Sequence, residues 1–350
     1  MEQIFHHVKR PMPQGAKMAV RFGLLGAGRI GKVHAKAVTG DASAKLVAVA
    51  DAMPAAAQAI ADQYGCDVRT IDAILAAKDI DAVVICTPTD THADLIERFV
   101  KAGKAVFCEK PIDLSLARVK QCLEVVRAHK GTLMVGFNRR FDPHFKAVRA
   151  EIDKGAIGKV EMVTITSRDP GAPPVDYIKR SGGIFRDMTI HDFDMARFLL
   201  GEEVTEVVAT AAVLVDPEIG KAGDFDSVQV MLKTATGKQA MISNSRRATY
   251  GYDQRIEVHG SNGMVAAENQ RPVSIEIASS LGYTRPPLHD FFMTRYTEAY
   301  AAEIATFIAA LSGKGKAEPS GEDGLIALAL ADAAVKSVAE KRVVLVSEVL

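Results

Sequence analysis

Hydrophobic and polar positions follow two different periods along this chain. From Ala19 to about residue 137, short apolar runs alternate with segments in which apolar residues recur about every three to four positions. The runs predict buried strands, and the wider spacing predicts helices with one face turned inward. The predicted strands are "AVRFGLL", "KLVAVAD", "AVVICT", "AVFCEK" and "TLMVGF", with helices over 54–64, about 91–102 and from Leu114. Strands that alternate with helices predict a parallel, doubly wound α/β sheet.

The pattern changes beyond about residue 158. Strand-like segments now adjoin through short turns, and Thr-Gly and Asn-Gly dipeptides mark two hairpins. This predicts an α+β region with an open, mainly antiparallel sheet, whose polar face must meet solvent, another subunit or the first region. Helices are predicted again at about 290–311 and 321–340, the second beginning with a near capping box from Ser320 to Asp323.

Composition narrows the class of protein further. The 350 residues suffice for two domains, and 43 basic residues balance 43 acidic ones without a basic block, which argues against nucleic acid or a membrane surface as partner. The four cysteines lie far apart, so we interpret them as reduced core residues of a cytoplasmic protein. No apolar stretch approaches the roughly 20 residues of a membrane helix. A small polar ligand is therefore the expected partner.

A glycine-rich turn joins the first strand to the first helix. Gly26, Gly28 and Gly31 form G-x-G-x-x-G, which permits a tight turn, close approach to a pyrophosphate and close helix packing. The next strand ends at Asp51, twenty residues after Gly31, where a carboxylate meets the adenosine ribose in Rossmann-type folds. No arginine follows Asp51 to accept a 2′-phosphate, so the pattern favours NAD over NADP. The alternative is that Asp51 caps the helix at Pro54.

These patterns predict three segments. We expect a loose extension over residues 1–17, which lack the features of a signal peptide, and a dinucleotide-binding Rossmann domain over 18–140. Residues 141–350 are expected to form a substrate-binding and oligomerisation domain, with the C-terminal helices packing back on the first domain.

Ligands of a doubly wound sheet lie beyond the carboxyl ends of its strands. Lys110 follows such a strand, where it could polarise an alcohol oxygen or be a solvated strand-end lysine.

The segment "RDMTIHDFDMARFLLG", residues 186–201, combines four acidic or histidine side chains with an apolar end. On a helix that begins near Asp187, the side chains of Asp187, His191 and Asp194 share one face, and Asp192 points elsewhere. A metal site would need further closely spaced ligands, which the neighbouring sequence does not supply. A structural histidine is a second interpretation. The third is a general base, His191, oriented by Asp187, with Asp187 and Asp194 raising its pKa.

Further polar residues lie where strands of the second region end. "TSRDPGAPP" contains Arg168 and Asp169, and "TYGYDQR" contains Tyr250, Tyr252 and Asp253. Carboxylate, guanidinium and phenol groups together suit the several hydroxyls of a polyol or sugar. Each could equally be a turn residue, since Asp-Pro commonly opens a turn.

Four motifs together resemble one oxidoreductase family over nearly the whole chain from Met18: "GLLGAGRIGKVHA", "FCEKPIDLS", "GFNRRFDP" and "GGIFRDMTIHDFDMARFLLG". This is the glucose-fructose oxidoreductase/inositol dehydrogenase/rhizopine-catabolism (Gfo/Idh/MocA) family. The glycine motif is generic, whereas the E-K-P motif and the D-x-x-x-H helix are specific to the family. The stretches "SRDPGAPP" and "YGYDQ" are most similar to the bacterial myo-inositol 2-dehydrogenases within it.

The resemblance implies an NAD-dependent, metal-free oxidation of myo-inositol at C2 to 2-keto-myo-inositol by a homotetramer. It implies a catalytic set of Lys110, Asp187 and His191. The implied cofactor-binding residues are Gly26, Gly28, Arg29, Ile30, Gly31, Asp51, Thr87, Pro88, Thr89, His92, Glu109 and Lys110. The implied substrate-binding residues are Lys110, Asn138, Arg139, Asp169, Asp187, His191 and Tyr252. Two alternatives stay open: a dehydrogenase of scyllo-inositol, another cyclitol or an aldose, and a non-enzymatic NAD-binding regulator on the same fold.

Overall fold

A six-stranded parallel sheet occupies the first part of the computed structural model, which describes residues 19–350; the predicted extension over 1–17 lies outside them. Its strands are β1 (Val20–Leu25), β2 (Ala44–Ala50), β3 (Asp67–Val68), β4 (Ala82–Ile85), β5 (Ala105–Glu109) and β6 (Leu133–Gly136). They lie in the order β3-β2-β1-β4-β5-β6, and every pair is parallel. The predicted doubly wound Rossmann-type sheet is therefore confirmed.

Five helices cover the two faces of this sheet: α1 (Arg29–Gly40), α2 (Pro54–Tyr64), α3 (Ile71–Ala76), α4 (His92–Lys101) and α5 (Leu116–Ala128). Strand β4 is apolar along its whole length and all four of its residues are buried, because both faces of the sheet are covered. Strand order reverses between β1 and β4. The crevice at their carboxyl ends is where such sheets bind ligands.

A seven-stranded sheet dominates the rest of the chain. Its strands are β7 (Val160–Arg168), β8 (Val204–Ala212), β9 (Ser227–Thr234), β10 (Gln239–Ser245), β11 (Asp253–Gly260), β12 (Gly263–Ala267) and β15 (Val344–Leu345), in the order β12-β11-β7-β10-β9-β8-β15. All neighbours are antiparallel except β7 and β10, which are parallel. The predicted mainly antiparallel sheet is confirmed. A small hairpin, β13 (Ile277–Ser279) and β14 (Gly282–Thr284), stands apart.

The remaining helices are α6 (Pro143–Asp153), α7 (Val175–Ser181), α8 (Ile190–Leu200), α9 (Pro217–Lys221), α10 (Phe292–Arg295), α11 (Thr297–Leu311) and α12 (Gly321–Glu340). Helix α12 begins with a complete capping box between Ser320 and Asp323. Its first turn packs against the first sheet, since a Cβ on Gly324 would lie 3.5 Å from Val135 of β6, and Pro319 O, just before the helix, accepts a hydrogen bond from Val135 N at 2.9 Å. In residues 19–350, no helix has both the length and the apolar character that crossing a membrane requires.

Candidate active site

The glycine turn between β1 and α1 is shaped by three distinct constraints. Gly26 has a φ of +98°, and a Cβ there would lie 2.5 Å from Cys86 O. A Cβ on Gly31 would lie 2.0 Å from Gly26 O, so α1 packs directly on the turn. At Gly28, by contrast, an added Cβ would meet nothing within 4 Å. Gly28 is also the N-cap of α1 and offers no side-chain cap, which leaves the helix N-terminus open toward an anion such as a pyrophosphate.

Asp51 follows β2 and borders the same turn. Its Oδ2 accepts a hydrogen bond from Ala27 N at 2.5 Å, and its Oδ1 accepts one from Met53 N at 2.7 Å. The N-cap of α2 is Met53, without a side-chain cap, so Asp51 is not the residue that caps this helix. Its carboxylate links the glycine turn to the end of β2, and its predicted contact with the adenosine ribose stays a prediction.

Thr87, Pro88 and Thr89 come shortly after β4 at the crevice, where Pro88 is exposed and the two threonines are partly buried. The ring of His92 lies buried behind them. Its Nε2 is 2.7 Å from Thr87 O, and its Nδ1 is 2.8 Å from Pro111 O. Burial lowers the pKa of His92. The imidazole thus ties the end of β4 to the segment that follows β5, and its predicted contact with NAD stays a prediction.

Lys110 and Asp187 come together although 77 residues separate them. Lys110 Nζ donates a hydrogen bond to the carbonyl oxygen of Asp187 at 2.6 Å and lies 3.5 Å from the carboxylate Oδ1. Both side chains keep a small exposure, 13% and 14%. Lys110 precedes Pro111 through a cis peptide bond. The two groups therefore form a partly accessible ion pair at the carboxyl end of β5.

Asp187 lies in a five-residue π-helix, Phe185–Thr189, that leads into α8. Such wide turns are rare and recur at functional sites. Tyr177 OH donates to Asp187 Oδ1 at 2.9 Å, and Arg246 approaches Oδ2 at 3.4 Å. The carboxylate is thus held by a phenol, an ammonium and a guanidinium.

His191 lies in the first turn of α8, directly after this π-helix. Burial lowers its pKa well below the usual value, with Lys110 and Arg139 adding to the effect. Its buried Nδ1 has no hydrogen-bond partner within residues 19–350, and its ring packs edge-on against Phe137. The expectation that Asp187 and Asp194 raise the pKa of His191 is wrong, because the nearby cations and burial outweigh the acids. Burial and these two cations therefore favour the neutral form of the imidazole.

Asp194 and Asp192 have structural partners. Arg140 donates to both oxygens of Asp194, at 2.8 and 2.5 Å. Asp192 is fully buried and pairs with Arg139, with further hydrogen bonds from Ser167 at 2.7 Å and Asn244 at 2.8 Å. Asp194 therefore does not share a working face with Asp187, contrary to the expectation from helical spacing.

Of the predicted substrate-binding residues that follow strands, Arg139 is held by other side chains, whereas Asn138 and Asp169 keep groups that could meet a ligand. The guanidinium of Arg139 is committed to Asp192 and Ser167, which leaves its role toward a substrate a prediction. The amide of Asn138 makes no hydrogen bond within residues 19–350, and Tyr252 is buried against the rings of Phe291 and Tyr296. Asp169 follows β7, and burial raises its pKa to about 7.

Sequence reasoning missed Tyr177, Asp224 and Arg246. Arg246 is 1% exposed and lies between Asp187 and Asp224, 3.9 Å from Asp224 Oδ2. Asp224 Oδ1 accepts a hydrogen bond from Ile184 N at 3.0 Å, just before the π-helix. Nothing in the local sequence links these residues, since the contacts cross between β10, the π-helix and the segment before β9.

Comparisons with known proteins agree on one family. Residues 20–137 match the GFO/IDH/MocA oxidoreductase family with its NAD-binding Rossmann fold, and residues 145–266 match the GFO/IDH/MocA C-terminal domain. The chain is 80% identical over 325 residues to the inositol 2-dehydrogenase of Rhizobium meliloti, covering 93% of this chain and 98% of that one.

Two solved structures are similar over almost their whole length. One is a myo-inositol dehydrogenase from Corynebacterium glutamicum, with a TM-score of 0.90 and 44% identity, covering 94% of this chain and 99% of that one. The other is scyllo-inositol dehydrogenase from Lactobacillus casei with bound NAD(H) and scyllo-inositol. It has a TM-score of 0.88 and 29% identity, with the same two coverages, 94% and 99%.

Proposed function

Since the chain belongs to the GFO/IDH/MocA family of NAD-binding oxidoreductases, we propose that it is an inositol 2-dehydrogenase. It oxidises the C2 hydroxyl of myo-inositol to the ketone 2-keto-myo-inositol. The observation that carries the proposal is the ion pair of Lys110 with Asp187 at the end of β5, with His191 near enough for the charge of Lys110 to lower its pKa, in a chain 80% identical to a Rhizobium inositol 2-dehydrogenase.

NAD fits the residues of the glycine turn. The helix N-terminus at Gly28 is open for the pyrophosphate, and Asp51 lies at the end of β2 for the adenosine ribose. The carboxylate of Asp51 would repel a 2′-phosphate, which supports NAD over NADP. When bound, NAD⁺ supplies the acceptor for the hydride that leaves the substrate carbon.

Proton transfer is assigned to His191. Its lowered pKa keeps the imidazole neutral at physiological pH, so that it accepts the hydroxyl proton as the ketone forms. The ammonium of Lys110 stabilises negative charge that develops on the same oxygen. Asp187 positions Lys110 through both its carbonyl and its carboxylate, and is itself held by Tyr177 and Arg246.

Asn138, Asp169 and Tyr252 are proposed to hold the other hydroxyls of the ring. They supply an uncommitted amide, a carboxyl group and a phenol, which together can donate and accept hydrogen bonds. Arg139 supports this pocket by neutralising Asp192. Contacts to a few hydroxyls decide which polyol is preferred. The similarity to scyllo-inositol dehydrogenase makes scyllo-inositol the second candidate substrate.

Lys110→Met and His191→Gln test the catalytic assignment. Each should lower kcat for NADH formation from myo-inositol by roughly 10²- to 10⁴-fold, the usual contribution of a proton-transferring group. Lys101→Met and His129→Gln, at exposed positions, are the matched controls and should keep full activity. Circular dichroism checks the fold of all four variants. Full activity of His191→Gln would refute the role of the imidazole.

A panel of myo-inositol, scyllo-inositol and aldoses, each with NAD and NADP, tests the substrate and the cofactor. We expect the highest kcat/KM with myo-inositol and NAD. Rapid turnover of scyllo-inositol with indifference to myo-inositol would replace the proposed substrate by the second candidate. Binding of NAD without turnover of any member would favour a regulator.

A homotetramer built through the open face of the second sheet is also proposed. Met162, Met231, Met241 and Met264 point from that face and are each about half exposed. Exposed apolar side chains in such a group are typical of protein interfaces.

A cytoplasmic location stays a prediction, to be tested by cell fractionation.

A further inference from the structure

Behind Lys110 lies a buried polar cluster that the proposed reaction does not use. It consists of His34 from α1, Glu109 from β5 and Glu303 from α11. His34 and Glu303 are 0% exposed and Glu109 is 8% exposed. One nitrogen or oxygen atom from each side chain lies within 4.8 Å of the others. Two carboxyl groups this close in the interior need an explanation, because each buried charge requires a partner.

Both carboxyl oxygens of Glu109 are engaged in hydrogen bonds. His34 Nε2 lies 2.6 Å from Oε1, and Lys110 N donates to Oε2 at 3.3 Å. A Cβ on Gly136 would lie 3.1 Å from the carboxyl carbon, so glycine at the end of β6 leaves the space for this side chain. The side chain of Glu109 is therefore turned mainly inward beside Lys110, and its predicted contact with NAD stays a prediction.

Glu303 has the opposite environment. Neither carboxyl oxygen has a hydrogen-bond partner in the part of the chain that the structure describes, and no lysine or arginine there pairs with it. His34 Nε2 lies 4.0 Å from its Oε1, beyond hydrogen-bond distance. Tyr300 and Cys86 are the other titratable neighbours. Burial, and then the charge of Glu109, raise the pKa of Glu303 well above its usual range.

We propose that Glu303 is a neutral carboxylic acid that, with His34, forms a positioning unit for Glu109 and Lys110. The unit joins three elements: the helix that follows the glycine turn, the strand that carries Lys110, and a helix from the far end of the chain. The His34 ring is packed against the rings of Phe107 and Tyr300, with centroids 5.0 and 5.5 Å away. This apolar packing sets the ring so that its Nε2 meets Glu109.

A divalent cation is the competing occupant of such a cluster, since histidine and two carboxylates are common zinc ligands. The geometry argues against it. His34 Nε2 and Glu109 Oε1 are 2.6 Å apart, a hydrogen-bond distance. Two ligands that each lie about 2.0–2.2 Å from one tetrahedral zinc are more than about 3 Å apart. In this geometry a hydrogen bond, and not a shared metal ion, joins these two atoms.

Glu303→Gln tests the proposal because glutamine has the shape of the neutral acid but cannot ionise. We expect kcat and the KM for NAD to stay within about threefold of the parent values, with an unchanged pH profile. Infrared difference spectra at about pH 8 should show the carbonyl stretch of a protonated carboxylic acid in the parent protein and its loss in Glu303→Gln. Glu298→Gln, an exposed position on the same helix, is the matched control and should retain the band.

His34→Leu removes the donor to Glu109 and should lower kcat by about tenfold or more, whereas His34→Gln should restore part of the loss. Absence of the infrared band, a stoichiometric divalent metal in the purified protein, or a tenfold loss of kcat in Glu303→Gln would each overturn the proposal. The kinetic arm rests on the proposed function. The infrared and metal measurements use no substrate, so failure of this inference can be told apart from failure of the assigned reaction.

Discussion

Asp169 should make substrate binding depend on pH near neutrality. Its carboxyl group lies at the end of β7, partly buried, close to Arg246, Asp187 and Arg139. Burial is the largest influence and raises the pKa to about 7, with Asp187 acting in the same direction and the two arginines opposing it. A proton therefore competes with the substrate for this carboxyl group in the physiological range.

The size of the effect follows from that pKa. A carboxyl group that titrates at about pH 7 is about nine-tenths ionised at pH 8 and about one-tenth ionised at pH 6. If the ionised form of Asp169 accepts hydrogen bonds from substrate hydroxyls, the KM for inositol rises about tenfold from pH 8 to pH 6. Over the same range kcat should stay level, because the pKa of His191 lies well below its usual value and the imidazole remains neutral.

Initial rates of NADH formation at saturating NAD, measured between about pH 6 and 8, provide the assay. Asp169→Asn removes the titrating group and should give a raised KM that no longer varies with pH. Asp176→Asn, at an exposed position on α7, is the control and should keep the parent profile. A flat KM in the parent protein, or the same slope in Asp169→Asn, would refute the reasoning.

Three further predictions concern the turn, the base and the open sheet face. Gly31→Ala should lower the melting temperature, because its Cβ would lie 2.0 Å from the backbone oxygen of Gly26. Gly28→Ala, whose Cβ would meet nothing within 4 Å, should leave the melting temperature unchanged and weaken NAD binding measured by calorimetry. Lys110→Met removes a charge that lowers the pKa of His191, so the imidazole should titrate at higher pH in NMR spectra than in the parent protein; an unshifted titration would contradict this. Met241→Glu places a charge on the half-exposed sheet face and should dissociate the proposed tetramer in size-exclusion chromatography, while an unchanged elution volume would place the interface elsewhere.

Much of the fold could be predicted because local signals mark its elements. Helix α2 spans the predicted residues 54–64 because Pro54 begins it and Gly65, with a φ of +68°, ends it. The capping residue Ser320 gave the start of α12 in the same way. Other features lacked such signals. The parallel pairing of β7 with β10 depends on segments far apart in sequence, and β13 and β14 are short strands with no buried face.

In the candidate site, too, only residues with a local sequence signal could be predicted. The position of Lys110 at the crevice could be predicted, because ligands of an open α/β sheet bind beyond the carboxyl ends of its strands. Arg246 was missed because its partner Asp187 lies 59 residues away, so no local spacing connects them. Glu303 was missed for a similar reason, since an acid inside an apolar helix shows its partners only when the helix is packed.

Asp187, Asp192 and Asp194 lie within eight positions, yet tertiary contacts give them different tasks. Asp192 and Asp194 are 0% and 2% exposed, and each is neutralised by an arginine. Such closed pairs orient a helix and have no open face for a substrate. Asp187 is 14% exposed and its partners include a lysine that is itself open to the crevice. The π-helix turns its carbonyl and carboxylate toward that lysine together. Helical spacing alone would permit any of the three acids to serve the proposed reaction, and the cations that reach them from other elements make Asp187 the best candidate.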